Sequence, residues 1–493
     1  MTRTHQVSIP TQYALVQQIL EKNRRGGEPE SKEGESSLTS AQVAQRLNRL
    51  DSQWVDNNQN GRIELTYAFP TVEPSGFADI QADEPDFKMQ AFMPLTSRQR
   101  EVVRQAQQEY ADVANVTFTE KTDGAGEGHL AYSGYSTGAE ASSTLGFAYQ
   151  PSVPNEDRRG TIWLRHLDQT SKFGNWDDED GVVMGEDYWR STVTHEIGHG
   201  LGLQHSYSVD DEQPQLTEYL EDSENYTLMS HNIQVFNDDG ETLPPVSLMV
   251  DDIQAIQLKY GANCSTRNGN TTYGFNSNTD REHYSLKTSK DKPLFSVWDG
   301  GGWDTLDFSE FDQEQTINLN AGSMSSVGGL RNNVSIANGV TVEEARGGKG
   351  RNILIGNNAF NILRGGRDND TLYGGSGGAQ MWGGKGANTF VFDAQSSGKA
   401  NWVMDFVSSK DKLDFSGLRQ QFGPLNFVST LPLDHCKLQD PLNPTFITKP
   451  GDVLVTYDQD FNRTHFRLDT TGDGRLNMHI DVHGAVARED IIV

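Results

Sequence analysis

The chain has 493 residues, and its 69 acidic against 41 basic side chains leave a formal net charge of −28. That length accommodates two or three domains with cores of their own, while the charge repels phosphate backbones and anionic lipid surfaces and argues against nucleic acid as a partner. No window approaches the roughly 18 consecutive apolar residues of a membrane-spanning helix, and the acidic excess reads as a solvated surface, part of which can bind divalent cations.

Residues 1–50 hold a short amphipathic stretch (Tyr13, Val16, Ile19, Leu20), the loop-like RRGGEPESKEGESS and a second helical pattern from Ser40, and are expected to form an N-terminal extension or pro-segment. The opening MTRTHQVSIPTQYALVQQ has no apolar run of signal-peptide length, so export would need another signal. DNNQNGRIELTY, from Asp56, lacks the glutamate that closes an EF-hand loop and reads as a turn before the first strand. Over 51–263, alternating segments such as ANVTFTE (114–120) mix with helical ones such as SRQREVVRQAQQEYADVA (97–114), an α+β pattern.

Within that region lies THEIGHGLGLQHS, residues 194–206. His195 and His199 are one helical turn apart and share a face, Glu196 sits beside them, and Gly202 lets the chain turn so that His205 returns as a third ligand. Three neutral imidazoles with an open fourth position suit Zn²⁺, which acidifies water and polarises a carbonyl. Glu196 is then the base that takes the water proton and returns it to the leaving amine. The chemistry is peptide-bond hydrolysis. His129, His166, His283, His435, His465, His479 and His483 fall in no ligand spacing and read as ordinary polar residues.

From Cys264 the composition shifts to Gly, Asn and Asp with short β-prone runs, a third region spanning 264–493. The other cysteine, Cys436, is distant, and two cysteines make no disulfide framework. Five nine-residue units begin at Gly347, Gly356, Gly365, Gly374 and Gly383, with one apolar residue at each eighth position (Leu354, Leu363, Leu372, Met381, Phe390). This period builds a parallel β-roll. Carbonyls and sixth-position aspartates of successive turns normally cage Ca²⁺, which nominates Gly348, Gly350, Asn352, Gly365, Gly366, Asp368 and Asp370. The sixth position, however, reads Asn352, Asn361, Asp370, Ala379 and Asn388, so binding in these repeats is expected to be weak or partly lost.

The zinc motif together with Met229 in DSENYTLMSH resembles the metzincin pattern, in which a methionine turn lies below the metal. YADVANVTFTE, DDIQAIQLKYGAN, YGFNSNTDREHY, SVGGLRNNVSIANGVTVEEA and the repeats make most of residues 90–415 similar to the serralysins, calcium-dependent secreted metalloproteases of Gram-negative bacteria. The resemblance implies a protease domain with a twisted sheet and an active-site helix, followed by an all-β roll. It implies that LGFAYQP (from Leu145) rims the cleft on an edge strand that pairs with an extended peptide. It also implies calcium sites at the domain junction, carried by Arg267, Gly269, Thr271, Asp299, Gly301, Gly302, Asp304, Thr341 and Glu343. As partners it implies protein or peptide substrates, an ABC-type exporter that reads the C-terminal EDIIV, and a periplasmic protein inhibitor, with the enzyme itself a monomer outside the cell. Asp469 and Asp473 are further calcium candidates.

Two departures stand out. Serralysins carry a tyrosine two residues after the methionine, which can ligate zinc and stabilise the tetrahedral intermediate; here the residue is His231, expected as a fifth ligand or an oxyanion donor. The proline that follows the third histidine is replaced by Ser206. The expected function is a secreted, calcium-stabilised zinc endopeptidase. The alternatives are a zinc-containing peptide-binding protein with catalysis impaired at His231, and an RTX adhesin with a vestigial site.

Overall fold

The computed structural model describes residues 11–26, 36–122, 128–137, 145–165, 186–207, 219–429, 449–473 and 475–493. The chain divides into two compact units, one of residues 25–268 and 294–300, the other of 1–24, 269–293 and 301–493. The first 50 residues are therefore shared: helix α1 (Gln12–Lys22) groups with the second of these units, and α2 (Ser40–Leu47) with the first. Cys436 lies outside the described residues, and Cys264 is a free, exposed thiol. Among the described residues no helix is long and apolar enough to cross a membrane.

The first unit is built on a six-stranded sheet of β1 (Ile63–Ala68), β2 (Ala91–Met93), β3 (Val116–Glu120), β4 (Leu130–Ser136), β5 (Gly146–Ala148) and β6 (Thr161–Arg165). The turn from Asp56 leads into β1, its Gly61 amide donating to the Asp56 carboxylate. The order is β3-β1-β4-β6-β5, with β2 paired to β4, and β5 runs antiparallel to β6 at the edge. Besides α2 the unit holds α3 (Phe77–Asp83), α4 (Ser97–Val113), α5 (Glu186–Gly200) and α6 (Val250–Tyr260). Helix α4 starts at a reciprocal Thr96–Gln99 capping box, which satisfies two otherwise orphaned amides. Its buried Val102, Val103, Ala106, Tyr110 and Val113 recur at helical spacing and form one packing face. That face fixes α5: the Tyr110 hydroxyl donates to Thr194 O (2.8 Å), and Arg190 of α5 pairs with buried Glu109 of α4 (2.9 Å).

The second unit is the parallel roll. Ile353 pairs with Thr371 and Thr371 with Thr389, while on the opposite sheet Asn361 pairs with Ala379. Partners are 18 residues apart, so two nine-residue units make one turn, each unit giving a short strand to alternate sheets. Leu354, Leu363, Leu372, Met381 and Phe390 are fully buried and form the thin core. Helix α1 covers one end of a sheet, burying Val16 among Ile355, Tyr373 and Val391. The chain's last strand, Ile491–Ile492, adds to Leu413–Asp414, and buried Asp490 accepts from the Ser408 hydroxyl (2.6 Å) and the Ser409 amide (2.9 Å).

Because the roll core is one side chain thick, a cavity there has little to collapse into it. Leu363→Ala is expected to cost about 2–5 kcal/mol, read as a lowered unfolding midpoint of the roll; a change within experimental error would show that the core repacks.

Candidate metal centre

Helix α5 ends at Gly200, and the chain reverses at Gly202, whose φ is +94°. A Cβ there would lie 1.9 Å from Ser52 O, so both the backbone conformation and the space demand glycine. The reversal brings His205 back to the helix. The three Nε2 atoms of His195, His199 and His205 then lie 3.1, 3.2 and 3.0 Å apart.

Such an approach of three ring nitrogens is readable from their far sides. His195 Nδ1 donates to Leu228 O (2.6 Å) and His199 Nδ1 to Leu203 O (2.8 Å), so these rings carry their proton at Nδ1 and aim a bare lone pair inward. Burial pulls all three imidazoles below the ordinary histidine range, His199 to about 4, which keeps them neutral. A tetrahedral ion with Zn–N bonds of about 2.0–2.1 Å has a ligand edge of about 3.3 Å, close to the observed triangle. The donor set therefore fits zinc.

Glu196 is buried on the same helix, and its Oε2 has no hydrogen-bond donor among the described residues. Burial pushes this carboxyl up to about 8; a divalent cation nearby favours the ionised form. A Cβ at Gly146 on β5 would sit 3.0 Å from Glu196 Cγ, so the edge strand passes directly against the carboxylate. Beneath the helix, Met229 is fully buried, with its sulfur 2.9 Å from where a Gly198 Cβ would be.

The methionine turn is held from two directions. Buried Asp252 of α6 accepts from the Thr227 hydroxyl (2.6 Å) and the Leu228 amide (2.8 Å), so the residue whose carbonyl orients His195 is itself anchored. Buried Asp222 accepts from the hydroxyls of Ser206 (2.6 Å) and Ser230 (2.8 Å), tying the residue after the third histidine to the residue after the methionine. Ser206 thus has a definite partner where a proline was expected. Helix α2 and its following turn add a third support. Leu47 O accepts from the Gln204 amide (2.8 Å), Arg46 donates to Ser206 O, and Arg49 donates to His205 O (2.6 Å) and Tyr207 O (3.0 Å).

His231 stands at the exposed rim, its ring centroid 4.6 Å from that of His205 and 5.5 Å from that of His195. One of its nitrogens lies within 4.8 Å of a ring nitrogen of His195 and of one of His205. Its Nδ1 is 3.0 Å from the Tyr207 hydroxyl, and the Tyr207 ring stacks on His205 at 5.0 Å. Asp222, Asp252, Arg46, Arg49 and Tyr207 were not singled out from the sequence, because nothing in their spacing relates them to the histidines.

The calcium candidates fall in both units. In the first, Arg267 donates to Asp112 (2.9 Å) and to Trp298 O (2.9 Å), and Asp299 is buried. In the second, Thr271, Asp304 and Glu343 come together: the Thr271 amide donates to Asp304 Oδ1 (2.8 Å) and the Asp304 amide to Glu343 Oε2 (2.7 Å). Gly302 passes so close to Gly269 that a Cβ would lie 2.5 Å from its carbonyl oxygen. Gly301 has a φ of +129°, and Thr341 is exposed. Gly366 stacks on Gly348 so closely that a Cβ at Gly366 would lie 2.0 Å from the Gly348 oxygen, and Asp368 is exposed on the same rim. Asp469 is buried, accepting from the Thr471 (3.0 Å) and Gly472 (2.7 Å) amides.

Three convergent imidazoles beside a buried carboxylate, closed from below by a methionine turn, define a zinc peptidase of metzincin type. The comparisons agree with this and narrow it. The family model described as Matrixin matches residues 87–261, and that described as Peptidase M10 serralysin C terminal matches residues 262–493. Metallopeptidase AprA of Pseudomonas marginalis is 42% identical over 93% of this chain and 92% of its own length. Serralysin of Photorhabdus luminescens is 43% identical over 76% of each chain, and Serralysin A of Dickeya chrysanthemi 36% identical over 98% and 96%. The chain belongs to the serralysin family and is a zinc metalloendopeptidase; the family also implies structural calcium.

Supports of metal-ligating histidines typically matter about 10–100-fold in metal affinity. Asp222→Ala, which releases both Ser206 and Ser230, is expected to weaken zinc binding by about that factor in chelator competition, whereas unchanged affinity would show that the α2 arginines suffice to hold His205.

Proposed function

We propose that the chain cleaves peptide bonds of extracellular proteins, with Glu196 as the general base and acid. The observation that carries this reading is the buried, donor-free Glu196 carboxylate between the histidine triangle and the β5 edge. Zinc bound by His195, His199 and His205 supplies a Lewis acid that acidifies water and polarises the scissile carbonyl. Glu196 Oε2 takes the proton of the attacking water and hands it to the departing amine. An extended substrate adds as a strand alongside β5, whose outer edge is unpaired among the described strands; its backbone hydrogen bonds supply affinity without fixing side chains.

His231 donates a hydrogen bond to the oxyanion from the rim, in the role for which its family carries tyrosine. The Tyr207 hydroxyl, 3.0 Å from Nδ1, can donate to that nitrogen and so accommodates the tautomer with its proton on the other ring nitrogen. Asp304 and Glu343 retain their carboxylates and, with Thr271, suit Ca²⁺. The enzyme is exported through an ABC-type exporter that reads its C-terminal segment, acts as a monomer, and meets a periplasmic inhibitor before release.

Casein cleavage is expected to stop on zinc chelation, and Glu196→Gln to lower kcat by about 10²–10⁴-fold with zinc still bound; full activity in that variant would remove Glu196 from the mechanism. His231→Phe is expected to lower kcat about 10²–10³-fold with KM nearly unchanged, and His231→Tyr to retain activity. Equal kcat in His231→Phe and the unaltered enzyme would place the oxyanion donor elsewhere.

A further inference from the structure

The family's calcium cages in the roll need several oxygens from successive turns, and the residues present here do not all fit that ion. On one sheet edge the sixth-position residues form a ladder. The Asn352 amide donates to Asp370 Oδ1 (2.7 Å), the Asp370 amide to Asn388 Oδ1 (3.0 Å), and the Asn388 amide to Asp411 Oδ1 (2.9 Å). All four side chains are buried. On the other edge, Asn361, Ala379 and Asn401 bring no carboxylate at all.

The Asn352 side chain shows what fills the space between the turns starting at Gly347 and Gly365. Its Nδ2 faces Gly350 O (2.7 Å), Asp370 Oδ1 (2.8 Å), Gly365 O (3.2 Å) and Gly348 O (3.4 Å). Those are two carbonyls of its own turn, one of the next, and the neighbouring carboxylate, the set from which a calcium cage would be made. The Oδ1 is equally committed, accepting from the Gly348 amide (3.0 Å) and from Gln315 Nε2 (3.0 Å), which fixes which way the amide points. Reversing it would set an acceptor against four acceptors and two donors against two donors. The opposite edge repeats the arrangement. Asn357 Nδ2 donates to Leu319 O (3.0 Å) and Val342 O (2.9 Å), and Asn361 Nδ2 donates to Val342 O and Glu343 O (both 3.3 Å).

Ca²⁺ takes six to eight oxygens at about 2.3–2.6 Å. It cannot enter the Asn352 position while an amide nitrogen points at the same oxygens. We infer that asparagine amides substitute for calcium at the 347/365 turn pair and along the 357–361 edge, so that these turns close on covalently attached donors and need no ion. Calcium is thereby confined to positions that keep an unmet carboxylate. Asp370 is one: its Oδ2 is buried without a hydrogen-bond donor among the described residues. The two faces of Asp370 are therefore unlike, one served by Asn352 and the other open to a cation.

The test is calcium counting on the full chain, with calcium alone as ligand, by calorimetric titration and by thermal unfolding in calcium and in chelator. Asn352→Asp is expected to bind one more calcium per chain than the unaltered protein, to melt lower than it in chelator, and to recover when calcium is added. Asn352→Ala is expected to melt lower in both conditions with the calcium count unchanged. A count lower by one in Asn352→Ala would mean that calcium already occupies this turn pair, and an unchanged count in Asn352→Asp that the amide is not what excludes the ion; either result would overturn the inference. None of these readings depends on proteolysis, so they stand apart from the catalytic assignment.

Discussion

Three imidazoles can aim their lone pairs at one point only if each is neutral and each is prevented from rotating, and that constraint organises the first unit. Two of the three solve it alike, by donating Nδ1–H to a backbone carbonyl, Leu228 O for His195 and Leu203 O for His199. The carbonyls are useful only if their own peptides are immobile. The Met229 amide accordingly donates to the Thr227 hydroxyl (3.1 Å), itself held by Asp252, while the turn at Gly202 lets the Leu203 amide donate to Gly198 O (2.9 Å) and the Gln204 amide to Leu47 O (2.8 Å). The methionine turn, helix α6 and the glycine reversal are thus parts of one device for fixing ring orientation.

The third histidine lies on an irregular segment and is held differently. The carbonyls of residues 205, 206 and 207 all accept from Arg46 or Arg49, at the end of α2. Asp222 adds a buried link between Ser206 and Ser230. A proline after the histidine would have stiffened the chain through its fixed φ; here hydrogen bonds from distant elements hold it instead. The segment before residue 50, which composition presents as an appendage, is therefore wired into the metal centre from Arg46 onward.

In the roll the same chemistry appears with a different cation. A stack of carbonyls and a carboxylate needs positive charge at its centre, and a calcium ion or an amide N–H₂ group can each provide some of it. The ion gives more energy but ties folding to its concentration; the amide is always present and contributes less per site. Retaining carboxylates at Asp304, Glu343 and Asp370 while placing amides at residues 352, 357 and 361 divides the unit, on the inference above, into ion-dependent and ion-independent turns.

The linear order of residues by itself determined a good deal. The spacing of His195, His199 and His205 around Gly202, the Glu196 neighbour and the nine-residue period with Leu354, Leu363 and Leu372 are local or periodic properties, set by helix pitch and turn geometry, and all are visible in one dimension. So was the loss of acidic residues from the repeats. Their consequence was not, since only the folded turns show that Asn352 turns its nitrogen toward four oxygens. The contributions of Asp222, Asp252, Arg46, Arg49 and Tyr207 were likewise decided by tertiary structure. Each acts through a hydrogen bond to a backbone or side-chain atom on another element, and no spacing rule connects residues that meet only because a sheet, a glycine turn and a methionine turn bring them to the same place.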